Sequence, residues 1–401
     1  MKMWPINFKR GKLNLAIAMA LSLPGMTFAD ARHSDQYELE LIQAIKELKN
    51  LEIDSAITRL EDLIDKNPNF KLARLVYADL LQAKAGPLSS FGQYASEHQE
   101  LLVSLQDEAK ARWKHFSQHP HDDLVPRYLL QLNSEHKNII VVDTSQSRLL
   151  LYRNNNGRAV LIDDFYASIG KNGVNKRIEG DKKTPLGVYF VSRYLEQNTL
   201  PDFYGHGAFP INYPNSWDKF QGRTGSGIWL HGNPLGTFAR PPLDSDGCVT
   251  VSNADFDRLK PYIALDQKTP FVISDGIDWV DTKTLKQEKQ TFLDKLQQWK
   301  KDWESQNNSR YLSHYSRDFL AEGKDFAQWK NEKAFANSSK KFINIALEDI
   351  SIFQYPGNDQ VTIITFKQSY ESNNFQETER KRLYLKKEKD SQWRIFYEGS
   401  V

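Results

Sequence analysis

The stretch IIVVDTSQSRLLLYRNNNGRAVLIDDFYASIG, residues 139–170, alternates β-branched or aliphatic residues with polar ones and breaks once, at Asn154-Asn155-Asn156-Gly157. Period-two alternation around an Asn-Gly turn predicts a β-hairpin. β-rich text continues in GVYFVSRYL (residues 187–195), IWLHG (228–232) and PFVISD (270–275). Short strands with frequent turns predict a mainly-β sandwich or barrel-like domain over residues 138–275.

The flanks read differently. From residue 38 to 83, Leu, Ile and Ala recur at steps of three and four, the mark of amphipathic helices. Residues 54–83, with Ala56, Leu60, a break at Asn67-Pro68, then Ala73, Tyr77 and Leu80, resemble one tetratricopeptide-like unit. A solenoid needs about three such units to bury its faces, so a small α-helical N-terminal domain (30–130) is expected to pack on something else or to bind other proteins. A further helix is expected over about 95–117. His115, His119, His121, Asp122 and Asp123 have the types of metal ligands, but Pro120 ends the helix before His121, so a polar helix end is expected and no metal. Beyond residue 277, Phe292, Leu293, Leu296, Trp299 and Trp303 predict a helix, followed by strands over 346–355, 360–370, 377–387 and 392–397. That order predicts an α+β domain over 283–401, whose layout resembles the cone-like nuclear-transport-factor-like fold.

Residues 1–29 carry Lys2, Lys9, Arg10 and Lys12, an apolar run over 13–23 and the small-residue ending Thr27-Phe28-Ala29. This is the pattern of a secretory signal peptide cleaved near Ala29, which implies the periplasm. The run is about half of the roughly 20 residues a bilayer-spanning helix needs, so no transmembrane span is expected. Without these four positive charges the formal balance of +2 becomes slightly negative, which argues against a nucleic acid partner.

Cys248 is the only cysteine. In an oxidising compartment it has no intramolecular partner, which makes it a candidate nucleophile; a buried inert thiol is the competing reading. A thiolate nucleophile needs a base, and His231, at the end of a predicted strand, is the candidate. The intervening Asn233-Pro234, Gly236, Pro241-Pro242 and Gly247 are loop formers able to bring the chain back. Gly247 can also turn nearby amides towards a developing oxyanion.

His231, thirteen residues, then Ser245-Asp246-Gly247-Cys248-Val249 resembles the signature of the YkuD-type L,D-transpeptidase catalytic domain. The hairpin at 139–153 and the turn Thr184-Pro185-Leu186-Gly187 resemble two further elements of that family. Asp246 departs from the family's histidine and Thr250 from its asparagine, while the Ser-x-Gly-Cys ending resembles the branch containing L,D-carboxypeptidases. The resemblance implies Cys248 as nucleophile, His231 as base, the Gly232 carbonyl orienting the imidazole, no cofactor, and the peptidoglycan stem peptide as substrate. Transfer of the acyl group to an amine is the first expectation, and hydrolytic trimming of tetrapeptides to tripeptides the second. The three-block layout also resembles trimming L,D-carboxypeptidases that set helical cell shape. A wall-binding scaffold without turnover is the reading from another class.

Arg223, Arg240, Ser245 and Trp229 are the candidate substrate contacts, since Arg pairs with carboxylates and Trp offers a flat face. For Trp217 and Trp229 core packing competes with that role, as does a turn role for His206 and Asp246. The basic run at 380–390 is read as a solvated strand face.

Overall fold

The computed structural model describes residues 36–86, 92, 99–117, 123–321, 323–358 and 360–401, together with two short strands, Asn7–Lys9 and Lys12–Asn14. The expected leader, apart from those strands, and His119, His121 and Asp122 lie outside the described residues. Among the described residues no helix is long and apolar enough to cross a membrane.

Four helices come first: α1 (Gln36–Lys49), α2 (Ile53–Lys66), α3 (Lys71–Ala85) and α4 (Gln99–Ser117). The apolar stripe of α2, Ala56, Ile57, Leu60 and Leu63, is buried against Leu41, Leu48, Phe70, Ala73 and Leu80. Burial of that stripe, rather than propensity alone, holds short helices together.

The central block is two packed sheets. In the larger, the strands run Arg158–Tyr166, Arg148–Asn155, Asn138–Asp143, Pro270–Ser274, Gly187–Phe190. In the smaller they run Leu195–Glu196, Gly207–Pro210, Trp229–His231, Val249–Thr250. Ile140, Val142, Leu149, Leu151, Phe165 and Phe271 of one meet Phe209, Leu230 and Val249 of the other.

The larger sheet is covered on both faces. Its second side, Ile139, Val141, Leu150, Val188 and Val272, packs on Phe353, Val361, Ile363, Tyr384 and Phe396 of the C-terminal domain. Hence Asn138–Asp143 reads NIIVVD without strict alternation: a strand buried on both faces has no solvent side to keep polar. The C-terminal sheet is antiparallel, in the order Trp393–Ser400, Gln376–Lys387, Val361–Ser372, Ile343–Gln354, Leu129–Gln131. Trp299, Trp303 and Tyr311 from its helices and Tyr315 from the turn that follows fill the core against Phe366, Leu383 and Ile395.

Residues 124–131, between the fourth helix and the catalytic block, are strapped into sheets. Leu124–Pro126 pairs with Trp279–Asp281, and Leu129–Gln131 forms an edge strand beside Ile352 and Phe353. His115, weighed and rejected as a metal ligand, lies 3.1 Å from Asp164 of the catalytic sheet.

Candidate active site

The site grows from one sheet register. Leu230 pairs with Val249 and His231 with Thr250 on parallel neighbours. Carrying the register back one residue sets Cys248 opposite Trp229, two positions from His231. Side chains alternate along strands, so Cys248, Trp229, His231 and Thr250 share one face. The ring of Tyr204 caps it, 5.0 Å from the imidazole centroid and 4.8 Å from the Trp229 ring.

His231 is fully buried, and its Nδ1 lies 2.6 Å from the Gly232 carbonyl oxygen. A carbonyl only accepts, so Nδ1 carries the proton and the lone pair is on Nε2. That Nε2 has no protein partner. Burial brings the imidazole down to about 4; the Gly232 carbonyl opposes this and Arg240 adds to it. Burial pushes the half-buried Cys248 thiol up to about 11, against the pull of the Trp229 backbone N–H and of Arg240. Both groups are therefore neutral near pH 7. In keeping with a protonated thiol, Sγ lies 3.4 Å from the Gly227 carbonyl oxygen.

The turn before the cysteine is held from within. Ser245 Oγ donates to the Cys248 carbonyl at 2.6 Å and accepts the Gly247 N–H at 3.1 Å. Ser245, offered by the sequence as a substrate contact, thus shapes the turn, and the Gly247 N–H is already engaged. Gly247 has φ +127°, and a Cβ there would meet the Lys183 carbonyl oxygen at 2.8 Å. Its own carbonyl accepts from Thr184 Oγ1 at 2.9 Å. Gly247→Ala is expected to destabilise by about 1–3 kcal/mol, since L residues rarely adopt that φ and the clash is with backbone. A lowered thermal midpoint checks this; an unchanged midpoint contradicts it.

Arg223 was offered as a carboxylate binder, and its carboxylate belongs to its own chain: Nη1 lies 2.8 Å from fully buried Asp218, in the capping box of the helix Ser216–Phe220. Trp217 packs on Phe220 and Phe396, between catalytic and C-terminal domains. Trp229 is half-buried in the wall beside Tyr204. His206 pairs with Asp257 at 2.8 Å, and exposed Asp246 pairs with Lys171 at 2.9 Å. Arg240 binds Asp244 through Nε at 2.6 Å and stands over the ring of Phe203.

Sequence reasoning passed over Phe203, Tyr204 and Asn253. In the stretch Tyr204-Gly205-His206-Gly207 it is the tyrosine, rather than the histidine, whose ring lies against the imidazole. Asn253 donates to the Asn233 carbonyl at 3.0 Å and accepts the His206 N–H at 3.1 Å, tying the turn under Tyr204 to the Gly232-Asn233 corner. A polar residue in a helix-start motif gives no sequence sign of such a tie.

Comparison with known proteins adds to this geometry. A family model described as the L,D-transpeptidase catalytic domain (YkuD) matches residues 137–273, and the Cds6 C-terminal NTF2-like domain matches residues 291–399. The solved structure of Bd1075 from Bdellovibrio bacteriovorus is 31% identical with a TM-score of 0.62, covering 70% of this chain and 98% of Bd1075. The chain belongs to the L,D-transpeptidase family. Another structure similar to this L,D-transpeptidase family member is the helical cell shape determining protein Pgp2 from Campylobacter jejuni. It is 25% identical with a TM-score of 0.58, over 72% of this chain and 99% of Pgp2. YafK of Escherichia coli K12, itself assigned to the L,D-transpeptidases, is 28% identical over 88 residues, so the chain spans 31% of the length of that curated relative.

Proposed function

We propose that this protein is an exported cysteine acyl-enzyme that trims the peptide stem of peptidoglycan. His231 Nε2 takes the thiol proton as Cys248 Sγ attacks the carbonyl of the third stem residue. The Cys248 backbone N–H is the donor assigned to the oxyanion, since the Gly247 N–H is engaged by Ser245. Collapse returns the proton from the imidazole to the leaving amine, releases the terminal D-alanine and leaves a thioester. Water, deprotonated by the same Nε2, then hydrolyses the thioester to a tripeptide acid.

The observation that supports the chemistry is the parallel register, which sets the sole cysteine and a singly protonated imidazole on one face. Water is favoured as acceptor because the chain is similar to nearly the whole lengths of Bd1075 and Pgp2, and Pgp2 determines helical cell shape, a role that suits stem trimming. Transfer to an amine is the second reading, favoured by the match to the L,D-transpeptidase catalytic domain.

Two measurements test this. Intact mass after exposure to a carbapenem is expected to show an adduct that disappears in Cys248→Ala; a wild-type protein that never acylates fits a wall-binding scaffold and ends the proposal. Muropeptides from purified sacculi treated with the enzyme are expected to shift from tetrapeptides to tripeptides, whereas 3,3-linked dimers identify an amine acceptor.

A further inference from the structure

Four buried polar atoms in and beside the site have no protein partner: His231 Nε2, Thr250 Oγ1, Arg240 Nη1 and, at the corner after Gly232, Asn233 Oδ1, an acceptor that offers a carboxylate nothing. Only the first is explained by proton transfer. Thr250 is in register with His231 on the neighbouring strand. Arg240 is only 7% exposed and depresses both the imidazole and the thiol. It stands over Phe203, whose ring is 5.8 Å from the imidazole.

Arg240 is also placed with care. Its Nε and Nη2 bind the Asp244 carboxylate and carbonyl at 2.6 and 2.9 Å, and its own carbonyl accepts from Tyr166 Oη and Ser168 Oγ at 3.0 and 3.1 Å. Two residues earlier, Phe238 is anchored in the helical domain, 4.5 Å from the Phe70 ring and 5.8 Å from that of Tyr37. Four hydrogen bonds and an aromatic anchor hold this guanidinium still, yet one N–H is left without an acceptor. Leaving a buried donor unsatisfied is costly, and the cost is recovered when a ligand supplies the acceptor.

We infer that Arg240 Nη1 and Thr250 Oγ1 form a subsite for the free carboxylate of the residue that leaves. The inference rests on the proposed acyl-enzyme chemistry, from which its position follows. His231 must protonate the leaving amine, and in an α-amino acid the carboxylate is two bonds from that nitrogen. A cation beside the imidazole therefore meets the leaving residue's carboxylate, and charge-assisted bonds from a fixed arginine select carboxylate over carboxamide. The subsite makes the enzyme an exopeptidase, confined to stems that end one residue past the scissile bond.

The test compares a synthetic stem tetrapeptide with its C-terminal carboxamide, and with a tetrapeptide in which only the carboxylate on the side chain of the third residue is amidated. Wild-type protein is expected to prefer the free acid over the carboxamide by about 100-fold in kcat/KM. Arg240→Met reduces that ratio to within a few-fold of one, and Thr250→Val reduces it in the same direction by less. A structural role for Arg240 would lower all three substrates alike and leave the ratio intact. Calorimetric titration of the acid and the carboxamide into Cys248→Ala, with and without Arg240→Met, reads the subsite without turnover. Acid-selective binding there with no turnover by wild type ends the trimming proposal and keeps the subsite. Turnover with no discrimination, or sensitivity that follows the side-chain carboxylate instead, overturns the subsite.

Discussion

Alkylation of Cys248 by iodoacetamide is expected to accelerate about tenfold per pH unit from pH 7 to pH 10, roughly a thousandfold in all, without levelling off. The reagent reacts with thiolate, and burial pushes this thiol up to about 11, so the thiolate fraction is still climbing at pH 10. A preformed thiolate–imidazolium pair predicts a plateau below pH 8, and an ordinary exposed cysteine a plateau near pH 9; either result refutes the neutral resting pair. Turnover is expected to behave differently. Because His231 is held down at about 4, its basic form is complete a unit or so above that value, and kcat/KM is expected to rise through about pH 4 and then stay level. His231→Ala is expected to lower turnover by about 10²–10⁴-fold while changing alkylation at pH 9 little, since the base acts during attack rather than in the resting state.

Arg148→Met is expected to destabilise the protein by about 3–5 kcal/mol, because it leaves buried carboxylates without a partner. Arg148 Nη2 and Arg112 Nη1 converge on Glu38 of α1 at 2.6 and 2.7 Å, and Arg148 also reaches Asp164 at 3.3 Å. All of these groups are buried or nearly so, and they join the first helix and the fourth to the catalytic sheet. Burial alone would raise the Glu38 carboxyl, but the two guanidinium groups outweigh it and hold the carboxyl far below its usual range. A depressed carboxylate contributes stability above its unfolded value of about 4.5, and that contribution is lost as pH falls below it. The variant, and the wild type in acid, should therefore lose hydrogen-exchange protection in α1 and α4 before the catalytic sheets. Loss of protection everywhere at once would show that the helical domain is not separately latched.

Much of this was legible in order along the chain. The Asn-Gly turn at Gly157 and the apolar steps of α2 are local signals, and local chemistry fixed both the hairpin and the helices. The strap at 124–131 was not legible, because three-residue edge strands carry no periodicity and exist only by pairing with partners some 150 to 220 residues away. The separation between Arg223 and Arg240 was equally hidden. Both flank Gly- and Pro-rich loops, and only the position of Asp218 in a capping box decides that one guanidinium is neutralised within the fold while the other keeps an unpaired N–H beside the imidazole.

The sequence by itself determined the order of helical, β and mixed blocks, and the candidate pairing of a lone thiol with the histidine that ends the strand before it, because composition, period and residue type are carried by neighbours along the chain. Tertiary structure alone decided that Cys248 and His231 share a sheet face, that both start neutral, and that a buried Arg240 over the Phe203 ring lowers the titration of each. Register, burial and field come from atoms distant in sequence and close in space, and no local pattern encodes them.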